Sequence, residues 1–307
     1  MSNRRLSGPL SFFAGMSSRR RSRRKRLIAG LSIGLLVVLS GGCASDAARR
    51  SDARFEATMA ARRAAVLEDP DSAYPPYYRV EGGPGATLLL MGTIHLGPQG
   101  GWRLSPAVLD GIERADRFVM EADLRRATEE AVSNLVANLV IMDPPTRLPD
   151  VISPETAKLL EEKDKALAIR GMPRNARRIM KPWFIAVGLG ESTSAESGYS
   201  TGAAAENILY EAIGDRPLTA LETFEEQMRL LDDLPMEIQD LMLRDALSRL
   251  DHAVDDTRAL VRAWQIGDEA GLEAAAREGT DLLPELDAFY EILLDRRNIE
   301  WLPTLRS

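Results

Sequence analysis

The chain has 307 residues, with 39 Lys and Arg against 46 Asp and Glu, a net charge of −7 and a single cysteine. One cysteine excludes an intrachain disulfide, and the acidic balance disfavours nucleic acid as a partner. Nine of the basic residues and no acid fall in the first 42 positions; the rest carries 30 basic against 46 acidic residues, a net −16 that disfavours anionic headgroups and is compatible with cations or cationic substrates.

The basic N-terminal stretch leads into the 13 apolar residues Leu27–Leu39. As a helix these rise about 20 Å, short of the roughly 30 Å hydrocarbon core, so residues 1–42 read as an export signal rather than a membrane span. Their exit, Leu39-Ser40-Gly41-Gly42-Cys43, resembles a bacterial lipobox. That likeness implies lipidation of Cys43, and the small Ala44 and Ser45 after it imply sorting to the outer membrane, facing the periplasm. Residues 43–76, rich in Ala, Arg and Asp and closing on Tyr74-Pro75-Pro76, read as a tether with a helix over Asp52–Glu68. The folded domain then covers residues 77–307.

Within that domain the strand candidates are Tyr78–Glu81, Thr87–Ile94, Arg117–Glu121 and Leu218–Glu222, each short and apolar. Helical periodicity covers Pro106–Ala115, Arg125–Ile141, Pro154–Arg170, Lys181–Gly190, Ala203–Ile213, Glu225–Leu231, Met236–Ile266, Asp268–Gly279 and Leu282–Trp301. Ser105-Pro106 and Ser153-Pro154 both pair an N-cap residue with proline at the first helical position. The expected fold class is α/β of the α+β kind, a small central sheet with a large helical complement.

Three strands finish on ionisable residues. His95, one of two histidines, follows the run that pauses at Gly92, while Glu121 and Glu222 end two other strands. Side by side, they would face one cleft suited to a divalent metal or to acid–base work. Gly92 draws attention because a missing Cβ allows a turn or the close approach of a ligand. Taken singly, a strand-end acid is commonly a solvated turn residue, and Glu222 also precedes a helix start. Arg297 can complement a helix C-terminus or clamp an oxyanion. His252 falls on a polar helix and reads as a solvated residue.

Gly92-Thr93-Ile94-His95 with Trp102 and Pro106, Met120-Glu121-Ala122-Asp123, Lys181-Pro182-Trp183, Leu221-Glu222-Thr223 with Glu226-Gln227, Ala263-Trp264 with Gly267-Asp268, and Arg297-Asn298 with Trp301 together resemble the TraB/GumN family across about Tyr77–Leu305. The resemblance implies an erythromycin esterase/ChaN-like fold and, through the Tiki-like members, a metal-dependent peptidase. It makes His95 and Glu121 metal or catalytic residues, with Mn²⁺ or Co²⁺ favoured over Zn²⁺, and gives Glu222 and Arg297 supporting active-site roles. The expected substrate is a peptide or ester bond in the cell envelope. Two departures stand out. The family's second histidine motif, Gly-x-x-His, is expected some tens of residues beyond Arg297-Asn298, so the domain reads as cut short at its C-terminus. Where members carry Gly-Val-Asp, this chain has Ala203-Ala204-Ala205-Glu206, with Glu206 available in place of the aspartate. These departures keep open a non-catalytic alternative, an envelope binding protein or polysaccharide-export accessory with a vestigial site.

Overall fold

A computed structural model describes residues 33–34, 46–82, 86–126, 129–277 and 291–306. Most of the export-signal stretch, Cys43 and residues 278–290, the greater part of the expected Leu282–Trp301 helix start, lie outside the described residues. No described helix is long and apolar enough to cross a membrane.

The first helix, α1 (Asp46–Glu68), lies against the body of the fold where the sequence suggested a tether. Met59 and Val66, seven residues apart and so on one helix face, are buried with Ile266 and Tyr74. Arg62 Nη1 donates to the carbonyl of Ile266 at 2.9 Å. The next residue, Gly267, ends its helix with φ +69°, and a Cβ there would come within 2.6 Å of Arg62 and 2.7 Å of the Tyr74 carbonyl. Glycine is therefore required twice over, for the left-handed turn and for the approach of α1.

Strands follow in short pairs. β1 (Ile33–Gly34) runs antiparallel to β5 (Thr93–Ile94); β2 (Ser72–Ala73) runs parallel to β6 (Arg103–Leu104). β3 (Tyr77–Gly82) and β4 (Ala86–Met91) form an antiparallel hairpin in register Tyr77 with Met91. The expected strand Thr87–Ile94 is divided at Gly92, whose N–H donates to the Pro76 carbonyl at 2.9 Å. After α2 (Pro106–Arg114), β7 (Phe118–Ala122) pairs in parallel with β8 (Leu218–Glu222), Ala122 opposite Glu222. The described strands thus form four two-stranded ladders within a mostly helical α+β fold.

The helical complement comprises α3 (Glu129–Val140), α4 (Leu148–Val151), α5 (Pro154–Glu162), α6 (Asp164–Ile169), α7 (Arg174–Arg177), α8 (Pro182–Ser197), α9 (Ala205–Ile213), α10 (Phe224–Asp232), α11 (Met236–Arg249), α12 (Ala253–Ile266), α13 (Glu269–Arg277) and α14 (Arg297–Arg306), the last preceded by a π-helical turn, Glu291–Arg296. Two helices expected to be continuous are broken. Pro154–Arg170 turns at Lys163, whose backbone caps α5 and opens α6, and Met236–Ile266 turns at Leu250–His252. Ser153 caps α5 by accepting from Thr156 N–H, whereas Ser105 makes no side-chain cap to α2. α8 is apolar around most of its circumference, burying Trp183, Ile185, Ala186 and Leu189, and accordingly sits centrally against α11 and α12.

Replacing Met59 by Ala should cost about 2–4 kcal/mol of unfolding free energy, the usual loss for an emptied core position. An unchanged urea midpoint would mean that α1 is not part of the cooperative unit.

Candidate active site

Two indoles fix the main chain on either side of His95. Trp264 Nε1 donates to the Gly92 carbonyl at 2.9 Å and Trp102 Nε1 to the Leu96 carbonyl at 2.7 Å. Their rings touch at 5.4 Å between centroids, inside a core that also holds Ile94, Leu96 and Val261. Buried indoles need acceptors, and here that requirement sets the course of the strand end that carries the imidazole.

Gly92, singled out by the sequence, has only ordinary space around it: a Cβ would meet Pro76 at 3.6 Å. The glycine that the site cannot do without is Gly97. A Cβ there would stand 1.7 Å from the Ala203 carbonyl. Gly97 and Ser200 exchange backbone hydrogen bonds at 3.0 and 2.9 Å, which brings the segment leading into α9 against the His95 loop. Glu206, in the first turn of α9, consequently lies with Oε1 2.8 Å from His95 Nδ1. Nε2 makes no protein hydrogen bond among the described residues, and the imidazole keeps 38% of its side-chain surface exposed. The ring is therefore held at Nδ1 and remains partly exposed.

The second half of the site is built around Arg297. Its Nε and Nη2 bind the two carboxylate oxygens of Glu222, each at 2.8 Å, in a bidentate fork. Nη2 also donates to Glu121 Oε2 at 3.2 Å, and Nη1 to the Leu293 carbonyl at 3.2 Å. Four of the five guanidinium N–H groups are thus engaged. Trp301 Nε1 adds a further donor to Glu222 at 2.7 Å, and its ring lies 4.9 Å beneath the guanidinium. Glu222 is aimed by local chemistry: Thr223 starts α10 in a capping box with Glu226, so Glu222 belongs to the strand end rather than to the helix's first turn. The structure brings His95, Glu121, Glu222, Arg297 and Glu206 into one electrostatic neighbourhood, while His252 stays exposed at the start of α12. The anchoring parts played by Gly97 and the three indoles escape single-residue reading; only the position of Gly97, two residues after His95, gave a signal.

Titration in the cluster is set by burial against partner charge. Burial opposes protonation of His95, but the adjacent Glu206 carboxylate outweighs it and moves the imidazole pKa upward. For Glu206 burial favours the neutral acid, yet His95, the Thr93 hydroxyl and its own N–H hold it below the usual carboxylate range. Burial pushes Glu121 up in spite of Arg297 and His95, making it the acid of the site that most readily carries a proton.

A catalytic zinc site takes three protein donors. Among the described residues no three His, Cys, Asp or Glu side chains come together as metal ligands. With Glu222 paired to Arg297 and Trp301 and Nδ1 on Glu206, the less engaged donors are His95 Nε2 and the Glu121 carboxylate. Those two suit at most a cation that retains several waters.

The fold and the site define a helix-rich α+β protein whose cleft combines an acid-backed imidazole with a guanidinium-bridged pair of carboxylates. The chain belongs to the TraB/PrgY/gumN family, whose pattern it matches over residues 76–307. Comparison with curated proteins and with solved structures gave no match.

Glu206→Gln should lower the midpoint of the His95 titration, read by imidazole NMR with only two histidines to assign, because burial would then be opposed by the Glu121 carboxylate without the larger pull of Glu206. The sign for stability follows: the raised His95 contributes below the ordinary imidazole pKa and loses that contribution as pH rises through its raised value, whereas the depressed Glu206 contributes above the ordinary carboxylate pKa and loses it as pH falls. Wild type should therefore lose stability across the upper imidazole range, and Glu206→Gln should lose less. An unmoved His95 midpoint in the variant would refute the pairing.

Proposed function

We propose that this family member is an exported hydrolase of the cell envelope, anchored at the outer membrane through lipidated Cys43 and cleaving a peptide or ester bond at the His95 cleft. The observation that carries the reading is the His95–Glu206 contact, which holds Nδ1 at 2.8 Å on an imidazole that keeps 38% of its side-chain surface exposed. In that tautomer Nε2 accepts a proton from water as the water attacks a carbonyl, Glu206 stabilises the resulting imidazolium, and His95 returns the proton to the departing amine or alcohol. In its protonated form Glu121 would donate a hydrogen bond to the developing oxyanion. Arg297 was the sequence's choice for that task, but its N–H groups are committed to Glu222, Glu121 and Leu293, so it positions the acids.

A divalent cation such as Mn²⁺ or Co²⁺ would bind through His95 and Glu121 and, when bound, would supply a more acidic water. No step above depends on it. The bidentate pairing of Glu222 with Arg297 favours a second reading, in which the cluster is structural and the chain binds an envelope component without cleaving it.

A screen of fluorogenic peptides and esters should show turnover that His95→Ala reduces by about 10²-fold or more, the usual contribution of a general base. Activity unaffected by His95→Ala would refute His95 as the base, and no turnover from a folded sample would leave the binding reading. Chelator-resistant turnover would assign proton transfer to His95 and Glu206, and turnover restored only by Mn²⁺ or Co²⁺ would assign it to the cation.

A further inference from the structure

A run of basic residues lies around α6 and α7, apart from His95 and Arg297 in sequence. Between Lys163 and Lys181 the chain carries Lys163, Lys165, Arg170, Arg174, Arg177, Arg178 and Lys181 against the single acid Asp164, in a protein that is acidic overall. Four of those cations are paired inward or sideways: Lys163 with Asp251, Arg170 with Glu196, Arg177 with Asp164 and Lys181 with Asp232. Arg174 is 69% exposed and only 3.5 Å from the Asp164 oxygen that Arg177 already binds. Lys165 and Arg178 are exposed and make no ion pair among the described residues.

The same element carries the most exposed of the large apolar side chains described, Ile169 at 85%, and Ile179 is exposed at 36%. Leu167 beneath is fully buried, so Ile169 is presented outward from a seated helix. Scattered exposed apolar residues are ordinary. An exposed isoleucine at a helix end, one turn after the unpaired Lys165 and followed in sequence by the exposed Arg174 and Arg178, is the composition that suits a membrane interface, with the apolar group at the acyl boundary and the cations among headgroups.

We propose that the α6–α7 projection docks on an anionic lipid surface, with Ile169 inserted and Lys165, Arg174 and Arg178 contacting headgroup phosphates. The overall acidity of the chain does not prevent this, because charges more than about 10 Å from the contact are screened at ordinary ionic strength. The surface is separate from the His95 cleft, so the proposal stands whether or not the hydrolase reading does.

The test uses the full chain with Ile169→Trp as a local reporter, added to vesicles of phosphatidylglycerol and phosphatidylcholine or of phosphatidylcholine alone. Any attachment through the export segment and the emission of the four native tryptophans then form a common background, read from the unsubstituted chain and subtracted, and the difference reports the surroundings of position 169. The expected result is a blue shift and quenching by brominated acyl chains with the anionic vesicles only, weakened about fivefold in apparent affinity for each of Lys165→Gln, Arg174→Gln and Arg178→Gln. Emission unaltered by anionic vesicles, or unaltered by the three Gln substitutions, would overturn the proposal. A shift produced by polyglutamate and not by vesicles would overturn it too, in favour of an acidic polypeptide.

Discussion

Two carboxylates on adjacent parallel strands, Glu121 and Glu222, point into the same partly buried space, and Arg297 is the cation that makes this arrangement tolerable. Removing an ionised acid from water costs several kcal/mol unless a partner and enough hydrogen bonds replace the lost hydration. The Arg297 fork supplies both to Glu222, adds a bond to Glu121, and is supported from below by the Trp301 ring. Because Arg297 opens α14, the same contact ties that helix to the strand ends. The β7–β8 pair, the last helix and the acid side of the cleft therefore depend on one guanidinium.

The imidazole side is organised by a different constraint, the need of buried indoles for acceptors. All four tryptophans of the chain donate: Trp102 to Leu96, Trp264 to Gly92, Trp183 to Asp232 and Trp301 to Glu222. Three of them act directly on segments that carry His95 or Glu222. The fourth works with Lys181, which binds the same Asp232 oxygen at 2.5 Å, to join the start of α8 to the end of α10. Residues that serve as family landmarks in the sequence thus have structural work that positions the cleft without entering it.

Much of the site was legible in the sequence because chemistry gathers at strand ends: His95, Glu121, Glu222 and Arg297 are all brought together, with Glu206 beside His95. What the sequence concealed depends on tertiary proximity. Gly92 was the glycine noticed, since it interrupts an apolar run, but the strict requirement falls on Gly97, because the Ala203 carbonyl that excludes a Cβ comes from about a hundred residues away. The docking of α1 was hidden because Met59 and Val66 are set among Ala and Arg, too few to signal a buried face. Periodicity runs without interruption through Lys163 and through Leu250–His252, so the helix breaks there follow from packing rather than from a local stop signal. The two-residue ladder of Ser72–Ala73 with Arg103–Leu104 is too short to leave a pattern.

The claim that Arg297 and Glu222 act as a unit is tested most directly by a double-mutant cycle on unfolding free energy with Arg297→Gln, Glu222→Gln and the pair. Removing either partner leaves the other's charge buried and uncompensated, so each single substitution should cost about 3–5 kcal/mol, and the double substitution should cost clearly less than their sum. Additive losses would show that the two residues stabilise the protein independently and would contradict the central role of the guanidinium bridge.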